Sequence, residues 1–439
     1  MTAIPVRVPP VARAVAAHEP RLHALGTAAP LVDLDAARAL LADELSFLWE
    51  PPGDLAACGA GMAARVEARG ADRFAELRAG AARLWQRVDT SGAAPRLWGG
   101  LAFAPGGADS PPWSDFGDAS FVLPRWTYTR HASQAWLTLV VPADEADAAP
   151  GELESMLAAL GRAEARSAAA PGEIVEVVHG DAATWRAQVE GILAALHVGG
   201  MEKIVAARRS EVRFGADVDA SAVLARLRDE AVGAWRFGFE RGAAAFVGAA
   251  PERLVRKAGV LVESEAIAGS IAAGRGGELL ESRKERAEHD PVVHAIASAL
   301  APRCVELIVP SEPEVRELRH ILHLRTPIRG RLRVPTHVLE LVEALHPTPA
   351  VGGVPRAEAL AWIAAHEPAP RGWYAGPVGW FDPAGDGEFV VALRSGVIAG
   401  ARAMIYAGAG IVAGSDPERE LAETALKQRT ILRALGANA

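Results

Sequence analysis

Between residues 234 and 265 the chain has four short apolar segments separated by only two residues each. They span residues 234–240, 243–249, 252–257 and 260–265, and Ala258-Gly259 is the last of the tight turns. Segments of this length predict β-strands. Parallel neighbours need a long crossover, whereas two-residue turns join antiparallel neighbours. The pattern therefore predicts antiparallel sheet rather than the strand–helix alternation that builds a parallel one.

Helices are predicted on both sides of these strands. Residues 181–196 predict a helix that stops at Gly199-Gly200, and a strand at 203–212 follows it. Residues 389–411 predict a further hairpin, and Asp416-Pro417 supplies the N-cap and first-turn proline of the last helix. We therefore expect an α+β fold, with large antiparallel β-sheets packed in layers and helices outside them.

Composition excludes several classes of protein. The chain has 439 residues, and acids and bases are interspersed at a net charge of −8, without a basic run, so we expect no nucleic-acid partner. No apolar run reaches the roughly 18 residues of a membrane span. Residues 1–10 contain no apolar block typical of a signal peptide, so we expect no membrane association and a cytoplasmic location.

Two acidic pairs are candidates for a metal site. Glu285 and Glu288 are three residues apart, as are Glu420 and Glu423, so each pair shares one face if its segment is helical. Carboxylates are the ligands that Mg²⁺ prefers. Ordinary surface charge explains the same spacing: Ser282 with Glu285 fits a capping box, and Glu423 can pair with Lys427.

A small-residue stretch and an arginine are candidates for binding a carboxylate. Gly408 and Gly410 lie at the end of a predicted strand, where their amides can approach an anion closely. Arg394 lies within the apolar segment 390–398, which predicts a strand. An arginine there either extends to the surface or clamps a carboxylate with two hydrogen bonds.

Three further polar residues allow two interpretations each. Lys203 opens a strand: it is either solvated there or buried with a lowered pKa and able to act as a general base. Glu252 begins another strand, either as an exposed strand end or as a functional acid. His323 is either a structural polar residue or part of a site.

Taken in order, several blocks resemble the chorismate-utilising enzymes. They are KIVAAR at 203–208, FVGAAPERL at 246–254, AGS at 268–270, SRKERAEH at 282–289, HLRT at 323–326, LHPTPAVGG at 345–353, GPVGW at 376–380, YAGAGIV at 406–412 and ELAE at 420–423. Each block is weak alone, but the series is specific. The resemblance implies a chorismate-binding catalytic domain at 171–439, with residues 1–170 as a loosely matching N-terminal part of the same fold.

The branch of the family follows from a few positions. Amine-transferring members typically carry glutamine where this chain has Lys203, and aminodeoxychorismate synthases carry a nucleophilic lysine at Ala268. Ser270 and the HPTPA block resemble the isochorismate synthases, which add water to chorismate at C2 and lose the C4 hydroxyl. Two alternatives remain: a salicylate synthase, which also eliminates pyruvate, and a non-catalytic chorismate-binding subunit.

The resemblance also implies roles for individual residues. Lys203 acts as the base and Glu252 as the acid, with opposed protonation states. Mg²⁺ is held by Glu288 and Glu423, with Glu285 and Glu420 close by. The residues implied in substrate binding are Gly269, Ser270, His323, Ala350, Val351, Tyr374, Leu393, Arg394, Tyr406, Gly408, Gly410 and Lys427.

Some expectations concern partners and departures from the family pattern. The resemblance implies that chorismate is the small-molecule substrate, that no glutaminase subunit is needed, and that the chain is a monomer or weak homodimer. Ala250 replaces a common serine. Asp290-Pro291 interrupts what is usually one helix, so we expect a new helix to begin at Pro291, leaving Glu285 and Glu288 on a separate turn.

Overall fold

The computed structural model describes residues 20–164, 169–317, 319 and 321–437. Residues 1–10, where we expect no signal peptide, lie outside the described residues. The expected α+β fold is confirmed, because two large sheets that are antiparallel almost throughout are combined with ten α-helices in the described residues. Within the same residues, no helix combines the length and apolar character needed to cross a membrane.

The strands are numbered in chain order. They are β1 Leu22–Ala28, β2 Leu45–Glu50, β3 Ala56–Ala60, β4 Ala64–Ala68, β5 Val88–Ser91, β6 Leu97–Leu101, β7 Ala119–Leu123, β8 Trp126–His131, β9 Gln134–Pro142, β10 Ile174–Val178, β11 Lys203–Phe214, β12 Trp235–Arg241, β13 Ala244–Ala250, β14 Arg253–Ala258, β15 Leu261–Ala272, β16 Cys304–Ile308, β17 Glu314–Glu317, β18 Ile321–Leu332, β19 Gly353–Val354, β20 Pro377–Phe381, β21 Gly387–Val391, β22 Ser395–Ala399 and β23 Arg402–Val412.

The helices are numbered in the same way. They are α1 Leu34–Leu40, α2 Arg73–Trp85, α3 Ala149–Leu160, α4 Ala182–Val198, α5 Ala220–Glu230, α6 Gly276–Glu281, α7 Arg283–Leu300, α8 Val338–Leu345, α9 Arg356–His366 and α10 Pro417–Ala434. The predicted caps at Ser282 and Asp416 are present, since their side chains accept from the backbone N–H groups of Glu285 and Arg419. Asp181 caps α4 in the same way by accepting from the N–H of Thr184. Such caps satisfy donors that a helix start leaves unpaired.

Two sheets hold the strands in different orders. The first sheet runs β10-β11-β23-β22-β13-β12-β2-β3-β8-β9-β1-β5, with β19 beside β11, and β1 with β5 is its parallel pair. The second runs β16-β18-β15-β14-β21-β20-β6-β7-β4, with β17 beside β18. Strands from before and after residue 170 pair in both sheets, as in β2 with β12 and β6 with β20.

A buried aromatic cluster packs between the sheets. The Phe246 ring lies 5.2 Å from that of Trp113 and 5.4 Å from that of Phe237, and the Trp373 ring lies 5.3 Å from that of Phe116. Aromatic side chains bury large apolar areas, so this cluster gives the sheets a well-packed contact. Trp113 of this cluster also lies 5.9 Å from the ring of Tyr406 on β23.

The expected helix break at Asp290-Pro291 is wrong. One helix, α7, runs from Arg283 to Leu300 with Pro291 inside it. Proline removes one helical hydrogen bond, but Val292, Ile296 and Leu300 are fully buried along one face of α7. Burying such side chains stabilises by about 1.5–3 kcal/mol each, enough to offset the cost of the proline. Glu285 and Glu288 therefore lie on one continuous helix.

Candidate active site

Glu252 and Arg394 lie where the chain crosses from one sheet to the other. Glu252 connects β13 of the first sheet to β14 of the second, and Arg394 connects β21 of the second to β22 of the first. The apolar neighbours of Arg394 predicted that it lies inside a strand, and this prediction is wrong. Arg394 lies between two strands and has a φ of +50°. The crossovers are hydrogen bonded at both ends: Val391 N–H donates to the Glu252 carbonyl and Ala249 N–H to that of Arg394, both at 3.2 Å.

Lys203 is buried at the start of β11. It pairs with Val412 of β23 and with Val354 of β19, so neither edge of β11 is open there, and only 4% of the lysine is exposed. Its side chain crosses Gly410 in the next strand, where a Cβ atom would stand 2.6 Å from Cε of the lysine. Within the described part of the chain its ammonium group makes no hydrogen bond or ion pair. Lys203 is therefore buried and not solvated, and its role as a general base stays a prediction.

The amides of Gly408 and Gly410 point toward an open strand edge. Opposite residues in an antiparallel pair either exchange hydrogen bonds or both point away. Ala207, opposite Gly408, donates its N–H to Glu367, and Val205, opposite Gly410, donates to the Gly352 carbonyl. Both glycines therefore point away from β11. The neighbouring strand β22 pairs with β23 only as far as Ile405, so these amides are available to an anion.

The two proposed proton-transfer groups have opposite pKa shifts. Burial lowers the pKa of Lys203, although Glu288 opposes the shift. Burial, followed by the negative charge of Glu265, raises the pKa of Glu252 to about 8. Each group also acts on the other, which places them in one buried region. The directions of these two shifts, toward a neutral amine and toward a protonated carboxyl, are those that a base and an acid require.

The four predicted metal-site glutamates lie on α7 and α10. Glu285 Oε2 accepts from the Ser270 amide at 2.8 Å, so this carboxylate joins α7 to β15 instead of completing the capping box at Ser282. Lys427 donates to Glu423 Oε1 at 2.6 Å and to the Gly408 carbonyl at 2.9 Å. Glu423 therefore pairs with Lys427, as one of the two interpretations expected, and Lys427 links α10 to β23. Metal binding by these glutamates stays a prediction.

The chemistry of this donor set fits a hard divalent cation. Burial and then Glu285 and Glu423 raise the pKa of Glu288, whereas burial and then Glu423 raise that of Glu420 to about 7. Such crowding of oxygen donors is relieved by a cation. No three acidic, histidine or cysteine side chains converge on one point in the described residues. Mg²⁺ commonly uses only one or two protein carboxylates and keeps several waters.

His323 is held in one neutral form beside Arg394. Its Nδ1 lies 3.3 Å from the Gly269 carbonyl, which only accepts, so Nδ1 carries the hydrogen. Its Nε2 lies 3.4 Å from Nη2 of Arg394, which only donates. Burial and then Arg394 lower the pKa of His323 to about 3. His323 therefore joins Arg394 to the bulge at Gly269, where φ is +74°.

The remaining predicted substrate residues form apolar and aromatic walls. Tyr374 and Tyr406 stack with their rings 5.0 Å apart, and burial raises the pKa of Tyr374 to about 12, so its phenol stays neutral. Val351 is buried and Ala350 and Leu393 are half-buried, all three against the same core. Together these side chains provide an apolar surface beside polar groups, as small-molecule sites commonly do.

Sequence reasoning missed two buried residues that organise this region. Glu265, on β15, is the strongest charged neighbour of Glu252. Arg371 donates to the carbonyls of Val351 and Val205 at 2.7 and 2.8 Å, so it fixes the loop that carries Ala350 against β11. The AIAGS stretch at 266–270 provided a signal for β15, but nothing local indicated that either charge is buried.

Two sizeable cavities lie outside this cluster. One of about 820 Å³ is lined by Phe74, Phe103 and Arg356, among others. Another of about 650 Å³ lies between α7 and residues 347–349. None of the predicted site residues lines either one. The candidate site is therefore defined by its side chains and backbone groups, not by these cavities.

Comparison with known proteins shows the family to which the chain belongs. The family model described as chorismate binding enzyme matches residues 18–436. The salicylate biosynthesis isochorismate synthase of Pseudomonas aeruginosa is 38% identical over 406 residues, which cover 89% of this chain and 84% of that protein. The isochorismate synthase MenF of Bacillus subtilis is 33% identical over 421 residues, which cover 89% and 88%.

The solved structures include an enzyme of the same type. The menaquinone-specific isochorismate synthase MenF from Escherichia coli matches with a TM-score of 0.79 and 29% identity, over 95% of each chain. This chain belongs to the chorismate-binding enzymes. The resemblance drawn from the sequence blocks is confirmed.

Proposed function

We propose that the chain is an isochorismate synthase, which converts chorismate to isochorismate. One observation carries the proposal: a buried lysine with a lowered pKa and a buried glutamate with a raised pKa act on each other in one region. Adding water to a ring and expelling a hydroxyl requires one group that accepts a proton and another that donates one. The isochorismate synthases among the relatives support the same assignment.

In the first half of the reaction, Lys203 acts as the base. Its neutral amine accepts a proton from water while the water oxygen bonds to C2 of the ring. Burial favours the neutral amine, and the small face of Gly410 leaves room for the side chain. The lysine ends this step as an ammonium ion, which Glu288 and Glu423 stabilise electrostatically.

In the second half, Glu252 acts as the acid. The ring double bonds shift, the C4–O bond breaks, and the Glu252 proton passes to the departing hydroxyl, which leaves as water. One water enters and one leaves, so the product is an isomer. Return of the proton from Lys203 to Glu252 through solvent completes the cycle. Losing either group should lower turnover by about 10² to 10⁴.

Different groups hold the two substrate carboxylates. Arg394, Tyr374 and the amides of Gly408 and Gly410 would bind the enolpyruvyl carboxylate, with Lys427 adding positive charge nearby. Gly269 and Ser270 would support the ring-carboxylate end by shaping the bulge, since the Ser270 amide is already bonded to Glu285. The apolar wall of Ala350, Val351, Leu393 and Tyr406 would face the ring.

Magnesium is the cofactor we infer. Glu288 and Glu423 would hold it, with Glu285 and Glu420 nearby through water, and the crowding of these carboxylates supports this choice. When bound, Mg²⁺ would supply a positive charge that fixes the ring carboxylate. Lys427 already compensates part of the charge of Glu423.

We also infer that the enzyme acts in the cytoplasm, without a glutaminase subunit, as a monomer or weak homodimer. Lysine at position 203 supports activation of water instead of ammonia, and water needs no partner to deliver it. The metabolite class, a soluble dianion, supports the location.

The test is product analysis by chromatography after incubation with chorismate and Mg²⁺. We expect isochorismate from the wild type and about 10² to 10⁴ times slower formation by Lys203→Met, whose unbranched side chain is one atom shorter and has no nitrogen. Strong salicylate fluorescence without an added lyase would instead identify a salicylate synthase. Chorismate binding without turnover would identify a non-catalytic subunit.

A further inference from the structure

Glu265 is a buried carboxylate that the mechanism above does not use. Only 2% of it is exposed, and it lies on β15 in the second sheet. Its Oε2 accepts from Nε of Arg325 at 2.5 Å, and Nη1 of Arg316 lies 3.4 Å from its Oε1. Charge-assisted contacts of this kind hold a carboxylate firmly in place.

The same carboxylate binds the backbone immediately after Glu252. Its Oε1 accepts from the Arg253 amide at 2.9 Å, so Glu265 fixes the crossover that carries Glu252. Glu252 is 1% exposed, and its Oε1 has no hydrogen-bond partner within the described residues. Two charged groups act on its proton, Glu265 on β15 and Lys203 on β11. Their effects on its proton are opposite.

We propose that Glu265 is a positioning residue that keeps the catalytic proton on Glu252 and orients the peptide that carries it. The inference rests on the proposed function, because only that reaction makes the Glu252 proton catalytic. The protonation of Glu252 itself can be measured without the reaction. If Glu252 ionised, two carboxylates would share one water-poor region, and such like-charge pairs disfavour the second ionisation. Arg316 and Arg325 form ion pairs with Glu265 and favour its charged form.

The first experiment measures the pH dependence of kcat for Glu265→Gln. The amide oxygen can still accept from the Arg253 N–H, so the backbone contact is kept while the charge is lost. We expect the alkaline limb, where activity is lost as Glu252 ionises, to move down by about one pH unit. The matched control is Glu263→Gln, which removes a charge from the same strand: Glu263 pairs with Arg253 and is not among the charges acting on Glu252. Its limb should stay at the wild-type pH.

A second variant changes the same interaction in the opposite direction. Arg316→Gln leaves Arg325 paired with Glu265 but removes one compensating cation, so the alkaline limb should move to higher pH. This variant decides the question if Glu265→Gln does not fold. The proposal would be overturned if the alkaline limb of kcat stayed at the wild-type pH in every folded variant. Equal shifts of this limb in Glu263→Gln and Glu265→Gln would overturn it too.

A spectroscopic readout separates this inference from the assignment of the reaction. The infrared carbonyl band of a protonated carboxyl that disappears in Glu252→Gln reports the Glu252 proton without substrate. It should persist to about pH 8 in the wild type and vanish at lower pH in Glu265→Gln. If the protein makes no isochorismate and the band still shifts, the proposed function fails while the role of Glu265 stands. A band that titrates at the same pH in both proteins overturns the role of Glu265.

Discussion

Lys203 lies against Gly410 so closely that a Cβ atom on the glycine would stand 2.6 Å from Cε of the lysine and 3.1 Å from its Nζ. The two residues belong to neighbouring strands, and Gly410 pairs with Val205, whose side chain lies on the same face of the sheet as that of Lys203. Glycine at position 410 therefore provides both an accessible amide and the space in which the proposed base lies.

This contact predicts the effect of Gly410→Ala. The added methyl group displaces the lysine amine while the fold has room to adjust, because the amine is the free end of a flexible side chain. Since a displacement of about 1 Å can cost about 10² in rate, we expect a loss of that order in kcat with little change in melting temperature. Gly151→Ala, where no atom lies within 4 Å of the new methyl group, is the control and should keep full activity.

The raised pKa of Glu252 predicts how activity depends on pH. The proposed acid is protonated below about pH 8, so kcat should fall as pH rises through that value. Glu252→Gln should lower kcat by about 10² to 10⁴ and remove this alkaline limb from the residual activity. Steady-state assays across pH measure both effects. A variant that keeps the wild-type limb would mean that another group donates the proton.

The same pKa predicts a pH dependence of stability. The folded-state pKa of Glu252, about 8, is above the ordinary value of 4.5, so between these values the folded state binds a proton that the unfolded state does not. The free energy of unfolding contributed by this group is therefore highest below about pH 4.5 and decreases up to about pH 8. Glu252→Gln should accordingly gain melting temperature relative to the wild type between about pH 5 and about pH 8. Thermal unfolding with circular dichroism measures the difference, and a constant difference would contradict the buried acid.

The acidic cluster predicts a dependence on magnesium. Chelation by EDTA should abolish turnover, and added Mg²⁺ should restore it. Glu423→Gln should weaken Mg²⁺ binding, measured by isothermal titration calorimetry, by about 10²-fold, because it removes a charged oxygen donor from a partly buried site. The control is Glu418→Gln on the same helix: Glu418 is exposed, pairs with Arg186 and should leave the affinity unchanged.

Local patterns predicted much of the architecture correctly. Two-residue turns between apolar segments indicated antiparallel pairing, and β12 with β13 and β14 with β15 confirm it. The prediction was wrong for the turn between β13 and β14, because these strands lie in different sheets and the residues between them form a crossover. Asp181 and Asp416 cap the helices that their positions predicted, because a cap involves only residues two or three apart. The prediction of a helix break at Pro291 was wrong for the opposite reason. The local cost of the proline is offset by the burial of one helix face, which depends on residues distant in sequence.

The sequence by itself determined the antiparallel α+β fold, the helix starts and, through the ordered blocks from Lys203 to Glu423, membership of the chorismate-binding enzymes. Only the tertiary structure decided that Arg394 lies at a crossover between sheets, that Glu285 binds the amide of Ser270, and that Glu265 faces Glu252. The reason is physical. Turns and caps depend on neighbours in the chain, whereas a buried charge takes its pKa and its partners from strands and helices distant in sequence.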